Sequence, residues 1–190
     1  MPNFKKEISP ILITLFILVF SGLIMILPSF FTKGVSRTEV KNAIDLPYIL
    51  DTPKDIELLF FGYAGCINIC TPRLESLSTW YTQFKNRSRV GVRFIDISAP
   101  EDKTLPMEFA QAFNKEFIGV YLTPPQIREY TRPFQVYFSQ SLMDSTEFDH
   151  TANLYLLKRE GKRKVLRYIY TTYPFDFKQI DLDIKELLNE

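Results

Sequence analysis

A chain of 190 residues, 46% of them hydrophobic and 24% charged, is long enough to bury a core and too apolar to stay disordered. Its 23 Lys and Arg balance 22 Asp and Glu, so no basic field recruits nucleic acid, and two cysteines cannot build a disulfide-dense scaffold. Soft-metal or thiol chemistry must therefore use those two cysteines and the single histidine.

The first element is a run without charge, ISPILITLFILVFSGLIMILPSFF, from Ile8 to Phe31. Its core from Ile11 to Leu27 would extend roughly 26 Å as a helix, close to the thickness of a bilayer's hydrocarbon. Lys5 and Lys6 precede it as in a signal peptide, but the run is too long for that and no small-x-small cleavage site follows. One N-terminal transmembrane helix is expected, with residues 1–31 as an uncleaved membrane anchor. Lys5 and Lys6 on one side face Lys33, Arg37 and Lys41 on the other, so charge leaves the orientation open. Residues 32–54, polar and punctuated by Pro47 and Pro53, read as a linker.

Residues 55–190 read as one folded domain. Ile56–Gly62, IELLFFG, has the apolar density of a buried strand, and Gly62 and Gly65 mark a turn after it. Leu74, Leu77, Tyr81 and Phe84 recur at helical spacing between Thr71 and Asn86, and VGVRFIDI over Val90–Ile97 is a second strand. Helices are expected over Met107–Phe117 and, capped by Thr123 with two prolines in the first turn, from Thr123 to Arg132. Phe134–Phe138 and Thr151–Leu157 read as strands. Glu160-Gly161-Lys162 turns the latter into a hairpin with Val165–Tyr170, and an amphipathic helix closes the chain over Phe175–Leu188. The order β-α-β-α-α-β-β-β-α predicts an α/β domain, a central sheet flanked by helices.

Cys66 and Cys70 frame CINIC directly after the first strand and its glycine turn. A spacing of four puts both sulfurs on one face if the helix starts there, and the positive helix end favours a thiolate that binds metal or attacks a disulfide. The plainer alternative is a pair of buried small hydrophobes or a passive disulfide in a non-catalytic interaction domain. Structural zinc wants four ligands, which one His and two Cys cannot supply. His150 lies just before a strand, behind the polar segment Ser139–Glu147, where loops of α/β sheets build sites. Two thiolates and one imidazole suit Cu(I) better than magnesium, calcium or zinc.

Phe61-Gly62-Tyr63 leading into Cys66-x-x-x-Cys70 resembles the signature of the Sco/SenC copper proteins, which carry CPxxCP there. Phe94-Ile95-Asp96-Ile97 with Glu101-Asp102 and Thr104 is similar to the family's second strand and acidic turn. Phe117-Ile118-Gly119 with Thr123-Pro124-Pro125-Gln126-Ile127 resembles its G-x-x-G-T-P-x-x-I segment, and Val136-Tyr137-Phe138-Ser139 and Asp149-His150-Thr151 with Leu154-Tyr155-Leu156 resemble its VYYS and DHS-x-x-x-Y-L elements. Both prolines of CPxxCP are absent, Ile67 and Thr71 standing in their places, and Asn68 occupies an often acidic position.

The resemblance implies a thioredoxin-like fold behind one transmembrane helix, with the globular part facing the bacterial periplasm or the mitochondrial intermembrane side. It implies copper, as Cu(I) or Cu(II), held by Cys66, Cys70 and His150, with Asp149 as the partner that fixes the imidazole. It also implies a client, the copper-bearing subunit of cytochrome c oxidase, whose dinuclear centre receives copper or is reduced. The competing function is a thiol–disulfide oxidoreductase acting through Cys66 and Cys70. CxxxC instead of CxxC, and no proline between Pro133 and Pro174, set the chain apart from an ordinary thioredoxin.

Overall fold

A computed structural model describes residues 13–21, 37–44, 52–142 and 147–190. The chain divides into two units, Met1–Val35 and Ser36–Glu190. In the first, residues 13–21 are helical with exposed apolar side chains, and Phe16 stacks on Phe20 with ring centroids 5.8 Å apart. Among the described residues no helix is long and apolar enough to cross a membrane; the rest of the expected span lies outside the described residues.

In chain order the second unit comprises β1 (Arg37–Ile44), β2 (Ile56–Gly62), α1 (Cys70–Gln83), β3 (Val90–Asp96), α2 (Leu105–Phe113), β4 (Ile118–Val120), α3 (Pro124–Thr131), β5 (Phe138–Gln140), β6 (Phe148–His150), β7 (Leu154–Glu160), β8 (Arg163–Tyr170) and α4 (Phe177–Asn189). Six strands form one sheet in the order β1-β8-β7-β2-β3-β4. β2, β3 and β4 run parallel, whereas β7, β8 and β1 add antiparallel pairs on the other side. Every position of β2 and β3 is buried, as central strands covered on both faces must be.

Alternation along β2 divides the core. Ile56, Leu58 and Phe60 meet Leu74, Leu77 and Tyr81 of α1 and Ile180, Ile184 and Leu187 of α4. Leu59 and Phe61 meet Ile95, Tyr155 and Leu157 of the sheet and Ile127 and Tyr130 of α3. The N-cap expected at Thr123 is present as a capping box, Thr123 and Gln126 bonding reciprocally across Pro124 and Pro125, and Gly161 turns the β7–β8 hairpin at φ +62°.

Three expectations change. The region read as a linker contains β1, whose sequence RTEVKNAI carries exposed charge and almost no apolar alternation. It pairs with β8 as a sheet edge, where charged side chains block further pairing, so its polarity hid it. FQVYF is not a sheet strand. Gln135 takes a left-handed conformation at φ 53°, which lets Phe134 and Val136 both enter the core, and extended structure begins only at Phe138. β5 then pairs with β6 in a separate two-stranded ribbon, so His150 ends a ribbon strand instead of lying in a loop. β4, three residues long, carries too short a pattern to be read in advance.

Asp183 of α4 ties the edge strand to the rest. Its buried carboxylate accepts from Arg37 Nε at 2.8 Å, the Tyr170 hydroxyl at 2.6 Å and Gln179 Nε2 at 2.8 Å, while the Arg37 guanidinium lies 4.0 Å from the centre of the Tyr168 ring. Asp183→Ala leaves these donors unpaired and is expected to cost about 2–4 kcal/mol in urea unfolding. A loss below about 0.5 kcal/mol, within the range of surface substitutions, would contradict this.

Candidate metal centre

β2 ends at Gly62, and the chain must turn sharply to start α1. Asp96, the last residue of β3, shapes that turn. Its buried carboxylate accepts from Ala64 N–H at 2.8 Å and from the Ser98 N–H and hydroxyl at 2.7 and 2.6 Å. Burial raises the pKa of this carboxyl, and the hydrogen bonds from Ser98 and Ala64 oppose that shift. Gly65 passes through φ +95°, which favours glycine, and the Cys66 N–H closes the turn on the Tyr63 carbonyl at 3.2 Å.

The helix begins at Cys70, so Cys66 lies in the turn before it and the two cysteines do not share a helix face as the spacing predicts. They nevertheless meet. The Cys70 N–H donates to Cys66 Sγ at 3.2 Å, and the Thr71 N–H and hydroxyl hold the Cys66 carbonyl at 3.2 and 3.0 Å. Ile69 offers no side-chain cap, and the sulfur accepts from a helix-start donor that lacks an intrahelical partner. Gly62 makes room for the other thiol: a Cβ there would lie 2.6 Å from Cys70 Sγ.

His150 arrives from the opposite side on β6. Its Nδ1 lies 3.1 Å from the Thr151 carbonyl, an atom that only accepts, so Nδ1 carries the proton and Nε2 keeps its lone pair. Nε2 lies 3.5 Å from Cys70 Sγ and 4.0 Å from Cys66 Sγ. Cys66 and Cys70 are buried and His150 is half-buried. The orienting contact of the imidazole is thus a backbone carbonyl; Asp149 is exposed, opposite Ser139 in the ribbon.

The two thiols are electrically unlike. The Cys66 pKa is lowered, first by the hydrogen bond from the Cys70 thiol and then, against burial, by the backbone N–H groups of Cys70 and Ile69. The Cys70 pKa is raised by that same bond to Cys66, by burial and by the charge on its neighbour. One proton is held at Cys70, leaving a thiolate at Cys66.

The donor set fits a soft monovalent ion. Bonds of about 2.0–2.3 Å to imidazole nitrogen and thiolate sulfur place trigonal donors about 3.5–4.0 Å apart. All three ligand atoms here lie within 4.8 Å of one another. A closed tetrahedral zinc site lacks its fourth Cys or His, the chain having two Cys and one His. The structure brings together the three residues that the sequence singled out, and it adds two neighbours that sequence reasoning missed, Glu147 and the Thr151 carbonyl. The latter is backbone and leaves no side-chain signal.

The Cys66 pKa predicts a pH profile. A depressed folded-state pKa adds stability that is present above the pKa of an unfolded thiol, about 8.5, and is lost as pH falls through the lowered value. Alkylation of Cys66 in the native, metal-free chain should therefore hold its rate from pH 8 down to pH 6. A fall of about tenfold per unit across that range, as for a free thiol, would contradict the assignment.

The chain is 25% identical over 112 residues to the mitochondrial protein SCO2 of Saccharomyces cerevisiae, covering 55% of this chain and 37% of that protein. It is 26% identical over 123 residues to a SCO2-like protein of Rickettsia conorii, covering 61% of this chain and 58% of that one. The matched stretch thus spans between about a third and three fifths of these relatives. The crystal structure of Arabidopsis thaliana ScoI with copper bound superposes with a TM-score of 0.63 at 19% identity, over 80% of this chain and 99% of the other, and shows the shared thioredoxin-like fold. The SCO1/SenC family model matches residues 53–187, most of the chain, and with it the protein belongs to the SCO1/SenC family.

Proposed function

We propose that this protein binds Cu(I) through Cys66, Cys70 and His150 and hands it by ligand exchange to a copper client, the copper-bearing subunit of cytochrome c oxidase or a relative of it. The observation that carries the reading is the convergence of two thiols and one imidazole lone pair from separate elements, within 4.8 Å. Copper is cargo here, and it favours few, soft ligands. Cys66 meets it as a thiolate, and Cys70 releases its proton on binding. His150 contributes Nε2 without losing a proton, because Nδ1 holds it. Ile67, between the cysteines, and Tyr137, beside β5, are exposed at 72% and 77% and offer apolar surface near the site.

In the same proposal, residues 1–31 form a membrane anchor, supported by the uncharged run over Ile8–Phe31, and the domain faces the periplasm or the mitochondrial intermembrane side. Asp149, exposed next to His150, acts at the rim of the site.

The thiolate–thiol asymmetry favours a second reading, reduction of client disulfides. Cys66 would attack one sulfur and Cys70 would resolve the mixed disulfide, so that the client gains two electrons as Cys66 and Cys70 join. The burial of both sulfurs beneath His150 favours copper instead.

An anaerobic Cu(I) titration of the reduced full chain separates the readings. Wild type is expected to bind one equivalent. Cys66→Ala, Cys70→Ala and His150→Ala should each weaken it by at least the about 10–100-fold that loss of an outer-shell support costs. Binding unchanged in His150→Ala would overturn the three-ligand site. No Cu(I) binding together with Cys66-dependent disulfide reduction would establish the second reading.

A further inference from the structure

The imidazole of the candidate site is delivered by a weakly held element. β5 and β6 have three residues each and stand apart from the central sheet, and a two-stranded ribbon is marginally stable by itself. Their side chains Phe138 and Phe148 reach the two apolar layers, which seats the ribbon without directing it.

Direction comes from Tyr63. Its backbone belongs to the thiol turn, where its carbonyl accepts the Cys66 N–H. Its ring is buried, tilted against Phe148 at 5.4 Å and edge-on to His150 at 5.9 Å between centroids. Its hydroxyl donates to Glu147 Oε2 at 2.9 Å. Glu147 immediately precedes β6 and His150 ends it, so one side chain from the thiol turn touches both ends of the strand that carries the imidazole. The Glu147 carbonyl also accepts the Ser141 N–H at 2.8 Å, which extends the ribbon one step beyond its ladder.

The ring contacts are apolar and would tolerate sliding of the ribbon. The hydroxyl would not. A half-buried hydroxyl that loses a charged acceptor gives up a hydrogen bond that water replaces only in part, so the Tyr63–Glu147 bond favours one ribbon position over its neighbours.

The geometry points to Tyr63 and Glu147 as a latch that holds β6 against the thiol turn, sets His150 Nε2 over the two sulfurs, and frees the imidazole and uncovers the sulfurs when it opens. The inference rests on reading Cys66, Cys70 and His150 as the metal site. Tyr63 is a positioning residue, since it acts through His150 and donates nothing to the ion. Transfer of the cargo then has a physical trigger: a client that breaks one hydrogen bond at the ribbon's entrance removes the third ligand.

The test uses the full chain, metal-free and reduced, at one pH. Alkylation of Cys66 by iodoacetamide reports how often the ribbon uncovers the thiol turn, and urea unfolding reports global stability. Tyr63→Phe keeps the ring and removes the hydroxyl; it should raise the alkylation rate about tenfold with little change in the urea midpoint. Glu147→Ala should match it, the double variant should be no faster than either, and Glu147→Gln, whose carbonyl still accepts, should stay within about twofold of wild type. In Cu(I) titrations Tyr63→Phe should weaken binding, and adding His150→Ala to it should cost less than His150→Ala alone.

A Tyr63→Phe alkylation rate within about twofold of wild type overturns the latch, as does a rate increase explained wholly by a lower urea midpoint. If wild type fails to bind Cu(I) while the alkylation rates follow the predicted pattern, the metal reading fails and the latch stands as a cover of the thiols.

Discussion

The hydrogen bond from the Cys70 N–H to Cys66 Sγ is the interaction on which the site depends. It exists because β2 must hand the chain to α1 through a tight turn, and the first turn of a helix has donors with no intrahelical partner. A sulfur placed there is favoured as an anion and is held close to the second sulfur in the same step. Asp96 and Gly62 serve that placement from outside the turn, one by holding the Ala64 amide, the other by leaving space for Cys70. The central sheet, buried on both faces at β2 and β3, is the rigid support that keeps the turn in place.

The third donor comes from a different kind of structure. Cys66 and Cys70 grow from the end of a central strand, whereas His150 sits on a two-stranded ribbon outside the sheet. A rigid pair and a separately mounted partner suit the proposed binding and release of an ion, since one of the three side chains could move without disturbing the other two. The tautomer matters equally. In the proposed site, with Nδ1 committed to the Thr151 carbonyl, the imidazole would bind without losing a proton, and Cys70 would be the group that releases one.

Much of this was legible in the residues. Scarcity drew attention to Cys66, Cys70 and His150, because the chain has no other thiol or imidazole, and the glycine turn after an apolar run located the pair at a strand end. The central strands β2, β3, β7 and β8 and the helices α1, α3 and α4 were readable because burial writes itself into apolar periodicity. β1 was not, since an edge strand with exposed charge looks like a linker. The ribbon was not either. FQVYF has the composition of a strand, and the left-handed Gln135 that breaks it follows from packing Phe134 and Val136 into one layer, a tertiary demand with no local signature. Glu147 carried no pattern, and its pairing with Tyr63 spans 84 positions.

The central claim is that three side chains, and no more, hold one ion. X-ray absorption at the copper edge of the Cu(I)-loaded full chain tests it most directly. The account predicts two sulfur scatterers at about 2.3 Å and one imidazole nitrogen at about 2.0 Å, with the nitrogen lost in His150→Ala. Two sulfurs in linear coordination with no nitrogen, unchanged by His150→Ala, would contradict it.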